Sequence, residues 1–282
     1  MGWIRSKIFS KKAFFTPLIA ICFLCFAPGL FAQGLRAPIL SARSAIVVDL
    51  GNGGILYSKN PHLKLPPAST AKVMTAILVL ERLPLNKAVR VGLRPTQVAP
   101  SKAGLTAKAA YKVGDLLVAT LVSSSNDAAV SLAEAVAGSE GAFVKLMNDK
   151  AKSLGMNDTR FVNATGLTDK RQPQYSTVYD LTKLMRYAAK DKRIDQILGI
   201  RTTTIRGSDG KAIFIRSHNK MLWRTPRFVK GKTGWTFASR HTFVGTDYAA
   251  NKKIVFAFLS SKEPWMDIKR LATFGLLVKN RG

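Results

Sequence analysis

Three short strings of polar residues in this 282-residue chain could do chemistry together. In chain order they are Ser69-Thr70-Ala71-Lys72, Ser124-Ser125-Asn126 and Lys232-Thr233-Gly234. A serine three residues before a lysine on one helical turn places a hydroxyl beside an amine. Because serine is a poor nucleophile until an adjacent base takes its proton, the first string predicts an activated serine.

Each string is weak evidence on its own. The pattern Ser-x-x-Lys also occurs at Ser208/Lys211 and Ser217/Lys220. A serine at a helix start is often only an N-cap, and Lys72 would then be a surface residue. The residues after Ser69 are apolar around most of the helical circumference, which is typical of a buried helix. A lone lysine on the first turn of a buried helix favours a functional role.

The elements that must position these strings follow from the hydrophobic pattern. A helix is predicted to begin at about Ser69, after a proline-containing loop, and Ser123 to Asp127 form a polar break between two helices. Further helices are predicted from Gly141 to Gly155 and from Tyr179 to Lys190, with Thr177 as a cap. Strands are predicted at AIVVDL and GILY, joined by a Gly-rich hairpin turn, and after residue 200 at RTTTI, KAIFI, RFVKGK, RHTFVGT and KKIVFAFLS.

This order predicts an α+β fold. The N- and C-terminal strands are expected to share one antiparallel sheet, with a helical lobe inserted between them and a final helix from about Trp265 to Lys279. No linker divides the chain, so residues 33–282 are expected to form a single domain of two lobes.

The first residues predict export. An uncharged run from Ala13 to Gln33 follows four basic residues, Arg5, Lys7, Lys11 and Lys12. This pattern indicates a signal peptide over residues 1–32, cut after Ala32, although an uncleaved membrane anchor is an alternative. We therefore expect a periplasmic or extracytoplasmic protein. Both cysteines lie inside this segment, so the mature domain would contain no disulfide.

The chain is strongly basic, with 44 Lys and Arg against 16 Asp and Glu and a net charge of +28. Such a charge favours an anionic partner, either an anionic envelope polymer or a membrane surface. The basic residues are not interleaved with aromatics on a recognisable nucleic-acid module, so nucleic acid is not expected. The three histidines lack metal-ligand spacing, and no metal or cofactor is expected.

Four strings carry a resemblance that covers nearly all of the chain after the first 44 residues: PPASTAKVMTA, LVSSSNDAAVSLAE, KSLGMNDTRFVNATGL and VKGKTGWT. They resemble the serine D-alanyl-D-alanine carboxypeptidases, which are low-molecular-weight penicillin-binding proteins of peptidase family S11. The resemblance implies a β-lactamase/DD-peptidase-like fold and acyl-enzyme chemistry.

The resemblance also implies a role for each candidate residue. Ser69 would attack the scissile carbonyl, with Lys72, Ser124 and Asn126 as its catalytic partners. Lys232, Thr233, Gly234 and Trp235 would bind the substrate, and the backbone N–H groups of Ser69 and Trp235 would form an oxyanion hole.

The expected function is a serine D,D-carboxypeptidase that removes the terminal D-Ala from peptidoglycan stem peptides. The alternative is a D,D-endopeptidase that cleaves peptidoglycan cross-links, and a catalytically silent wall-binding protein is a third hypothesis. Asp158 to Asp169 contains no Glu to activate a hydrolytic water, so β-lactams are expected to be covalent inhibitors. Longer relatives carry a carboxylate-binding arginine where this chain has Glu263-Pro264-Trp265, and Arg240 is the hypothetical substitute.

Overall fold

The structure, a computed structural model, describes residues 35–169, 171–224, 229–249 and 252–279. The predicted signal peptide, residues 1–32, lies outside the described residues. The described strands are β1 (Ser44–Asp49), β2 (Ile55–Lys59), β3 (Ala88–Arg90), β4 (Ala110–Lys112), β5 (Thr202–Arg206), β6 (Ala212–Arg216), β7 (Lys230–Thr236), β8 (Arg240–Ala249) and β9 (Lys252–Ser261).

Nine α-helices occur in the same described ranges. They are α1 (Lys72–Leu80), α2 (Leu93–Gln97), α3 (Val113–Leu121), α4 (Asn126–Ala137), α5 (Glu140–Ser153), α6 (Val178–Ala188), α7 (Lys192–Leu198), α8 (Met221–Arg224) and α9 (Pro264–Val278). A 3-10 turn, Ala68–Ala71, leads directly into α1. None of the helices in the described ranges is long and apolar enough to cross a membrane.

A five-stranded antiparallel sheet joins the two ends of the chain, in the order β2-β1-β9-β8-β7. Alternate residues of the central strands face opposite layers, since side chains along a strand point to opposite faces. On one face Val47, Phe256 and Phe258 pack with α9, and on the other Ile46 and Val255 pack with the helical lobe. This topology confirms the predicted α+β architecture.

The helical lobe is built around α1, in which all nine residues are buried. Its neighbours are α3, α4, α5 and α6. The predicted cap at Thr177 is confirmed, because its side chain accepts a hydrogen bond from the Asp180 N–H at 3.0 Å. Gly138 ends α4 in the left-handed region at φ +77°, where glycine carries no steric penalty.

Three of the predicted strands differ from the expected series. The strands β5 and β6 pair only with each other, so they form a separate hairpin beside the main sheet. The strand predicted at RFVKGK begins instead at Lys230 and continues to Thr236. Glycines at 231 and 234 weaken the strand pattern locally, and pairing with β8 extends the strand through them. Residues 227 and 228 of that prediction lie outside the described residues.

A buried carboxylate ties the first described segment to the last helix. Asp267 accepts hydrogen bonds from the Ser41 N–H at 3.0 Å, the Ser41 hydroxyl at 2.7 Å, the Ala42 N–H at 2.9 Å and the Ser261 hydroxyl at 2.7 Å. It has no exposed surface. These four hydrogen bonds satisfy the buried carboxylate. They hold the segment that leads into β1 against α9.

Candidate active site

Ser69 lies in the 3-10 turn before α1 and has a partly exposed side chain. Its hydroxyl does not cap the helix, since neither the 3-10 turn nor α1 has a side-chain cap bond. Instead the Lys72 ammonium lies 3.1 Å from the Ser69 Oγ. Ala68, immediately before the serine, has φ +48°, an unfavourable backbone conformation for a residue with a Cβ. Such strain is typical of functional sites.

Lys72 has no exposed surface, which contradicts the alternative that it is a surface residue. Its Nζ also donates to the Asn126 Oδ1 at 2.6 Å and to the Thr165 carbonyl at 2.6 Å. Both partners are neutral acceptors, so the ammonium has no ion-pair partner among them. Burial and, secondarily, the positive charge of Lys232 lower the pKa of Lys72 well below its usual value. Lys72 is therefore more readily deprotonated than an exposed lysine and is suited to accept a proton from Ser69.

The second string lies at the turn between α3 and α4. Ser124 has φ +60°, and α4 begins two residues later at Asn126. The Asn126 side chain is held at both ends, because its Oδ1 accepts from Lys72 and its Nδ2 donates to the Pro100 carbonyl at 2.5 Å. Its backbone N–H donates to the Ser101 carbonyl at 2.8 Å. The turn is thus pinned to the loop at residues 100–101.

Asp127 supports this loop and was not predicted as part of the site. Its buried carboxylate accepts hydrogen bonds from the backbone N–H groups of Ala103, Gly104 and Leu105, at 2.9, 2.9 and 3.2 Å. It stands beside Asn126 at the start of α4, where a negative charge is stabilised by the helix dipole. The residue was visible in the string SSSND, but only the fold shows which loop it holds.

Lys232 approaches from the opposite side, on β7, and is almost fully buried. Its Nζ donates to the Ser124 Oγ at 2.9 Å and to the Thr233 carbonyl at 2.7 Å. Burial lowers the pKa of Lys232 to about 7. The Ser124 hydroxyl is therefore in direct contact with one of the two lysines, and Asn126 with the other.

Gly234 brings the edge strand β7 against the nucleophile. A Cβ at this position would lie 2.7 Å from the Ser69 backbone nitrogen and 2.4 Å from the Thr242 Oγ1, so only glycine permits the approach. Trp235 follows it and is half exposed, with its ring 4.9 Å from that of the exposed Phe237. The strand β7 is the last in the sheet order, so one of its edges is unpaired by the main sheet.

A loop at residues 163–167 completes the surroundings of Lys72. The Asn163 Oδ1 accepts from the Thr165 N–H, the Thr165 hydroxyl and the Gly166 N–H at 3.2, 2.9 and 2.8 Å, which fixes the Thr165 carbonyl that Lys72 contacts. Gly166, at φ +84°, packs so closely on Ala68 that a Cβ would lie 1.9 Å from the Ala68 carbonyl oxygen. The string NATGL belongs to one of the segments that carry the resemblance, but the sequence did not predict that the Thr165 carbonyl contacts Lys72.

The three strings meet in a cleft of about 400 Å³. Its lining includes Ser69, Ser124, Asn126, Thr233, Gly234 and Trp235. Lys72 and Lys232 are buried behind this surface. The structure therefore brings all eight sequence-predicted site residues together. Arg240 lies outside the lining, whereas Pro264 and Trp265 form part of the wall.

This geometry suits a serine nucleophile. The hydroxyl of Ser69 has a depressed-pKa amine beside it, and a second hydroxyl, Ser124, connects the cleft to a second buried amine. A backbone N–H at the nucleophile lies beside the edge strand. These are the components that acyl transfer requires: an activated nucleophile, proton carriers and a place for an oxyanion.

Comparisons with known proteins agree with this geometry. The sequence profile described as D-alanyl-D-alanine carboxypeptidase, peptidase family S11, matches residues 32–262. The chain is 32% identical over 276 residues to the D-alanyl-D-alanine carboxypeptidase DacF of Bacillus subtilis, covering 94% of this chain and 70% of that protein. It is 36% identical over 247 residues to the D-alanyl-D-alanine endopeptidase of Escherichia coli, covering 84% of this chain and 78% of that protein.

The fold agrees as well. A solved structure of a D-alanyl-D-alanine carboxypeptidase from Mycobacterium tuberculosis superimposes with a TM-score of 0.82 at 30% sequence identity, covering 87% of this chain and 95% of that one. Profile, sequence and structure thus agree over the region that contains the three strings. The chain belongs to the D-alanyl-D-alanine carboxypeptidase family, peptidase family S11.

Proposed function

We propose that this protein is a serine D,D-carboxypeptidase that removes the terminal D-Ala from peptidoglycan stem peptides through an acyl-Ser69 intermediate. One observation carries the proposal: two buried lysines with depressed pKa values reach the cleft through two hydroxyls, Lys72 to Ser69 and Lys232 to Ser124. We infer further that residues 33–282 form one catalytic domain of two lobes, supported by the packing of Arg36–Gly282 as a compact unit.

In the acylation step the Ser69 oxygen bonds to the carbonyl carbon of the penultimate D-Ala. Neutral Lys72, 3.1 Å from the hydroxyl, takes the serine proton. The developing oxyanion accepts hydrogen bonds from the backbone N–H groups of Ser69 and Trp235, an arrangement supported by the close approach of Gly234 to the Ser69 nitrogen. Removing one such donor typically slows acyl transfer by about two to three powers of ten.

The peptide C–N bond then breaks and the amine of the terminal D-Ala leaves. It takes its proton from the Ser124 hydroxyl, which is replenished from the lysines. Protonated Lys232 and the Thr233 hydroxyl attract the terminal carboxylate. Hydrolysis by water in the second half-reaction releases the shortened stem and restores Ser69.

The loop at residues 163–167 supports the expectation that β-lactams remain attached. Glu140, the acid near this loop, accepts from the Ala164 N–H at 3.0 Å and pairs with Arg94 at 2.5 Å. It holds the loop from behind rather than lining the cleft. The described lining of the cleft therefore offers no carboxylate to activate water against a penicilloyl-Ser69 ester.

A second candidate is D,D-endopeptidase activity on the cross-link between D-Ala and the side-chain amine of the next stem. Two observations favour it: the similarity to the Escherichia coli D-alanyl-D-alanine endopeptidase, and a described cleft lining without an arginine for a terminal carboxylate. Both activities use the same acyl-Ser69 chemistry and differ in the leaving group.

We infer the cellular location of the protein from its proposed substrate and from the first residues of the sequence. Peptidoglycan is outside the cytoplasm, so we propose export by the N-terminal segment to the periplasm or an equivalent extracytoplasmic space. The net charge of +28 supports additional retention on anionic envelope polymers or a membrane surface.

Covalent labelling by a fluorescent penicillin tests the acyl-enzyme chemistry. Wild-type protein is expected to give a stable labelled band, and Ser69→Ala to give none. Ser153→Ala, an exposed serine near the end of α5, is the matched control and is expected to label normally. Absence of labelling in the wild type would support a catalytically silent wall-binding protein instead.

Two substrates then separate the two activities. A soluble peptide ending in D-Ala-D-Ala reports carboxypeptidase action by the release of free D-Ala. A cross-linked muropeptide dimer reports endopeptidase action by the appearance of monomers. Dimer cleavage without release of D-Ala from the first substrate would contradict the carboxypeptidase assignment and establish the second candidate.

A further inference from the structure

A second groove, which the site residues predicted from the sequence do not include, continues from the active-site cleft. Its lining consists of Arg216, Ser217, His218, Lys220, Trp223 and Arg224, and its volume is about 580 Å³. His218 lines both this groove and the cleft. Lys220 lies 5.8 Å from the ring centre of Trp265, which is also part of the cleft wall. The two cavities therefore adjoin at two points.

The groove is strongly cationic. Among the residues that the structure describes, three of the lining residues are Arg or Lys, all three are exposed, and no lining residue is acidic. Within the described residues none of the three makes a salt bridge. In contrast, cations elsewhere on the surface, such as Lys150 and Lys230, pair with carboxylates at 2.5 Å. The groove thus presents unneutralised positive charge beside the cleft.

The groove also has a shaped aromatic wall. Trp223 is 41% exposed, and the Arg216 guanidinium lies 5.6 Å from the centre of its ring. A cation held over an aromatic face keeps its outward N–H groups available for an anion. The combination of a flat apolar wall and a guanidinium held over it suits a peptide chain that carries carboxylates.

The position of the groove determines which part of a substrate it meets. The leaving amine takes its proton from Ser124, so the leaving group lies on the Ser124 and Lys232 side of Ser69. The backbone N–H of His218 donates to the Val122 carbonyl at 3.1 Å, two residues before Ser124. The groove beyond His218 therefore opens on the leaving-group side of the reacting bond.

We propose that this groove binds the carboxylates of the leaving stem peptide when the substrate is a cross-linked peptidoglycan dimer. The inference rests on the proposed acyl-Ser69 chemistry and extends it to a second, cross-linked substrate. A single D-Ala has one carboxylate, which the Lys232 and Thr233 region accommodates within the cleft. A second stem is larger and carries further carboxylates, and the cationic groove lies where they emerge. Arg216, Lys220 and Arg224 are thus binding residues for the leaving stem.

The test compares wild type, a groove variant and a control variant on two substrates and on penicillin. The groove variant carries Arg216→Gln, Lys220→Gln and Arg224→Gln. The matched control carries Lys145→Gln, Lys152→Gln and Arg206→Gln, which remove the same charge from exposed residues outside both cavities. Each protein is assayed for kcat/KM on the cross-linked dimer, for release of D-Ala from a pentapeptide and for acylation by fluorescent penicillin. Melting temperatures confirm that all three proteins are folded.

The groove variant is expected to lose about tenfold in kcat/KM on the dimer, because three exposed charge contacts each contribute roughly 0.5 kcal/mol. Its penicillin acylation and D-Ala release are expected to stay within twofold of wild type, as are all activities of the control. Amidation of the dimer's free carboxylates is expected to reduce wild-type activity to that of the groove variant.

Three outcomes would overturn the proposal: a groove variant that cleaves the dimer as fast as the control, an equal loss on the dimer and the pentapeptide, or a wild type that acylates with penicillin but does not cleave the dimer. Failure of the wild type to acylate with penicillin would instead overturn the proposed function itself. The two failures are therefore distinguishable.

Discussion

The two buried lysines are the chemical centre of this molecule. Lys72 and Lys232 are each removed from water, and the hydrogen-bond acceptors around them are neutral hydroxyl, amide and carbonyl oxygens. Burying an ammonium without a carboxylate lowers its pKa, because the charged form loses its hydration. A fold that retains two such groups gives up stability to hold two amines that lose their protons more readily than exposed lysines do.

The Lys232 pKa of about 7 predicts a pH dependence of ligand binding. A ligand carboxylate favours the protonated lysine, so binding raises its pKa. Affinity is therefore full below about pH 7 and falls as the pH rises above it, by up to about tenfold per pH unit. Calorimetric titration of Ser69→Ala protein with an acetylated peptide ending in D-Ala-D-Ala, between pH 6 and 9, measures this fall.

The same peptide with a C-terminal amide is the control. It carries no charge at that end, and its weaker affinity is expected to stay constant over the same pH range. An equal pH dependence for acid and amide, or constant affinity for the acid from pH 6 to 9, would contradict the role given to Lys232.

At this scale the sequence was informative about functional side chains and uninformative about backbone groups. Ser69, Lys72 and Lys232 could be chosen because their chemistry is in the side chain. The Thr165 carbonyl could not, since every residue has a carbonyl and only the fold brings this one within 2.6 Å of Lys72. Asp127 and Asn163 were likewise visible as polar residues, but the loops they hold are set by tertiary contacts.

Among the elements, the edge strand β7 determines the shape of the cleft. It carries Lys232 inward, places Gly234 against the nucleophile and exposes Trp235 at the mouth. A strand at the edge of a sheet offers unpaired backbone groups to an extended peptide. A stem peptide bound beside β7 would therefore be held by backbone hydrogen bonds, with its reacting carbonyl next to Ser69.

Gly234→Ala is expected to disable the site while leaving the protein folded. The new Cβ would meet the Ser69 nitrogen and the Thr242 hydroxyl, and that hydroxyl is itself held by the Pro67 carbonyl at 2.9 Å. The strand must therefore move away from the nucleophile. We expect the rate of penicillin acylation to fall about a hundredfold, the effect of losing one oxyanion donor.

Gly141→Ala is the matched control, because nothing lies within 4 Å of a Cβ at this position in α5. It is expected to acylate normally and to be at least as stable as wild type, since alanine has a higher helix propensity than glycine. Normal acylation by Gly234→Ala, within threefold of wild type, would show that the close approach is not required.

The elements themselves were predicted unevenly. The strands β1 and β2, the helices α3 to α6 and the final helix were predicted because their hydrophobic periods are regular. The helix α7 was not, because its apolar residues Ile194, Ile197 and Leu198 lie in a short polar segment. The separate pairing of β5 with β6 was also beyond the sequence, since alternation predicts a strand but does not choose its partner.

For the molecule as a whole, Asp267 joins the first described segment to the last helix. Asp267→Asn is expected to lower the free energy of unfolding by about 3 kcal/mol, because an amide NH2 would face buried donors that now meet a carboxylate. Urea denaturation measures the change. Asp209→Asn, an exposed carboxylate, is the control and is expected to change stability by less than about 0.5 kcal/mol.

Penicillin acylation at 25 °C is expected to survive in Asp267→Asn, because Asp267 is not among the residues that line the cleft. Equal urea midpoints for Asp267→Asn and wild type would show that the four hydrogen bonds do not stabilise the fold.

The four basic residues of the predicted signal peptide account for 4 of the 28 net positive charges, and the remaining net charge of +24 predicts salt-dependent retention on the envelope. Attraction between exposed charges is largely screened at 1 M salt, where the Debye length is about 3 Å. Protein that sediments with isolated envelope material at 0.05 M NaCl is expected to be released at about 1 M. Envelope stripped of its anionic polymers serves as the control and should retain little protein, while retention that ignores salt would rule out this mechanism.

The sheet order has a consequence for when the enzyme becomes active. The strand β1 precedes the helical lobe in the sequence, but in the sheet it lies between β2 and β9, and β9 follows the lobe. The strand β7, which packs against Ser69, also follows the lobe. A two-stranded hairpin is marginally stable alone, so β1 and β2 must wait for those strands. A nascent or partly exported chain therefore contains Ser69 without a working site. Synthesis from the N-terminus therefore leaves the hydrolase inactive until β7, β8 and β9 have been made.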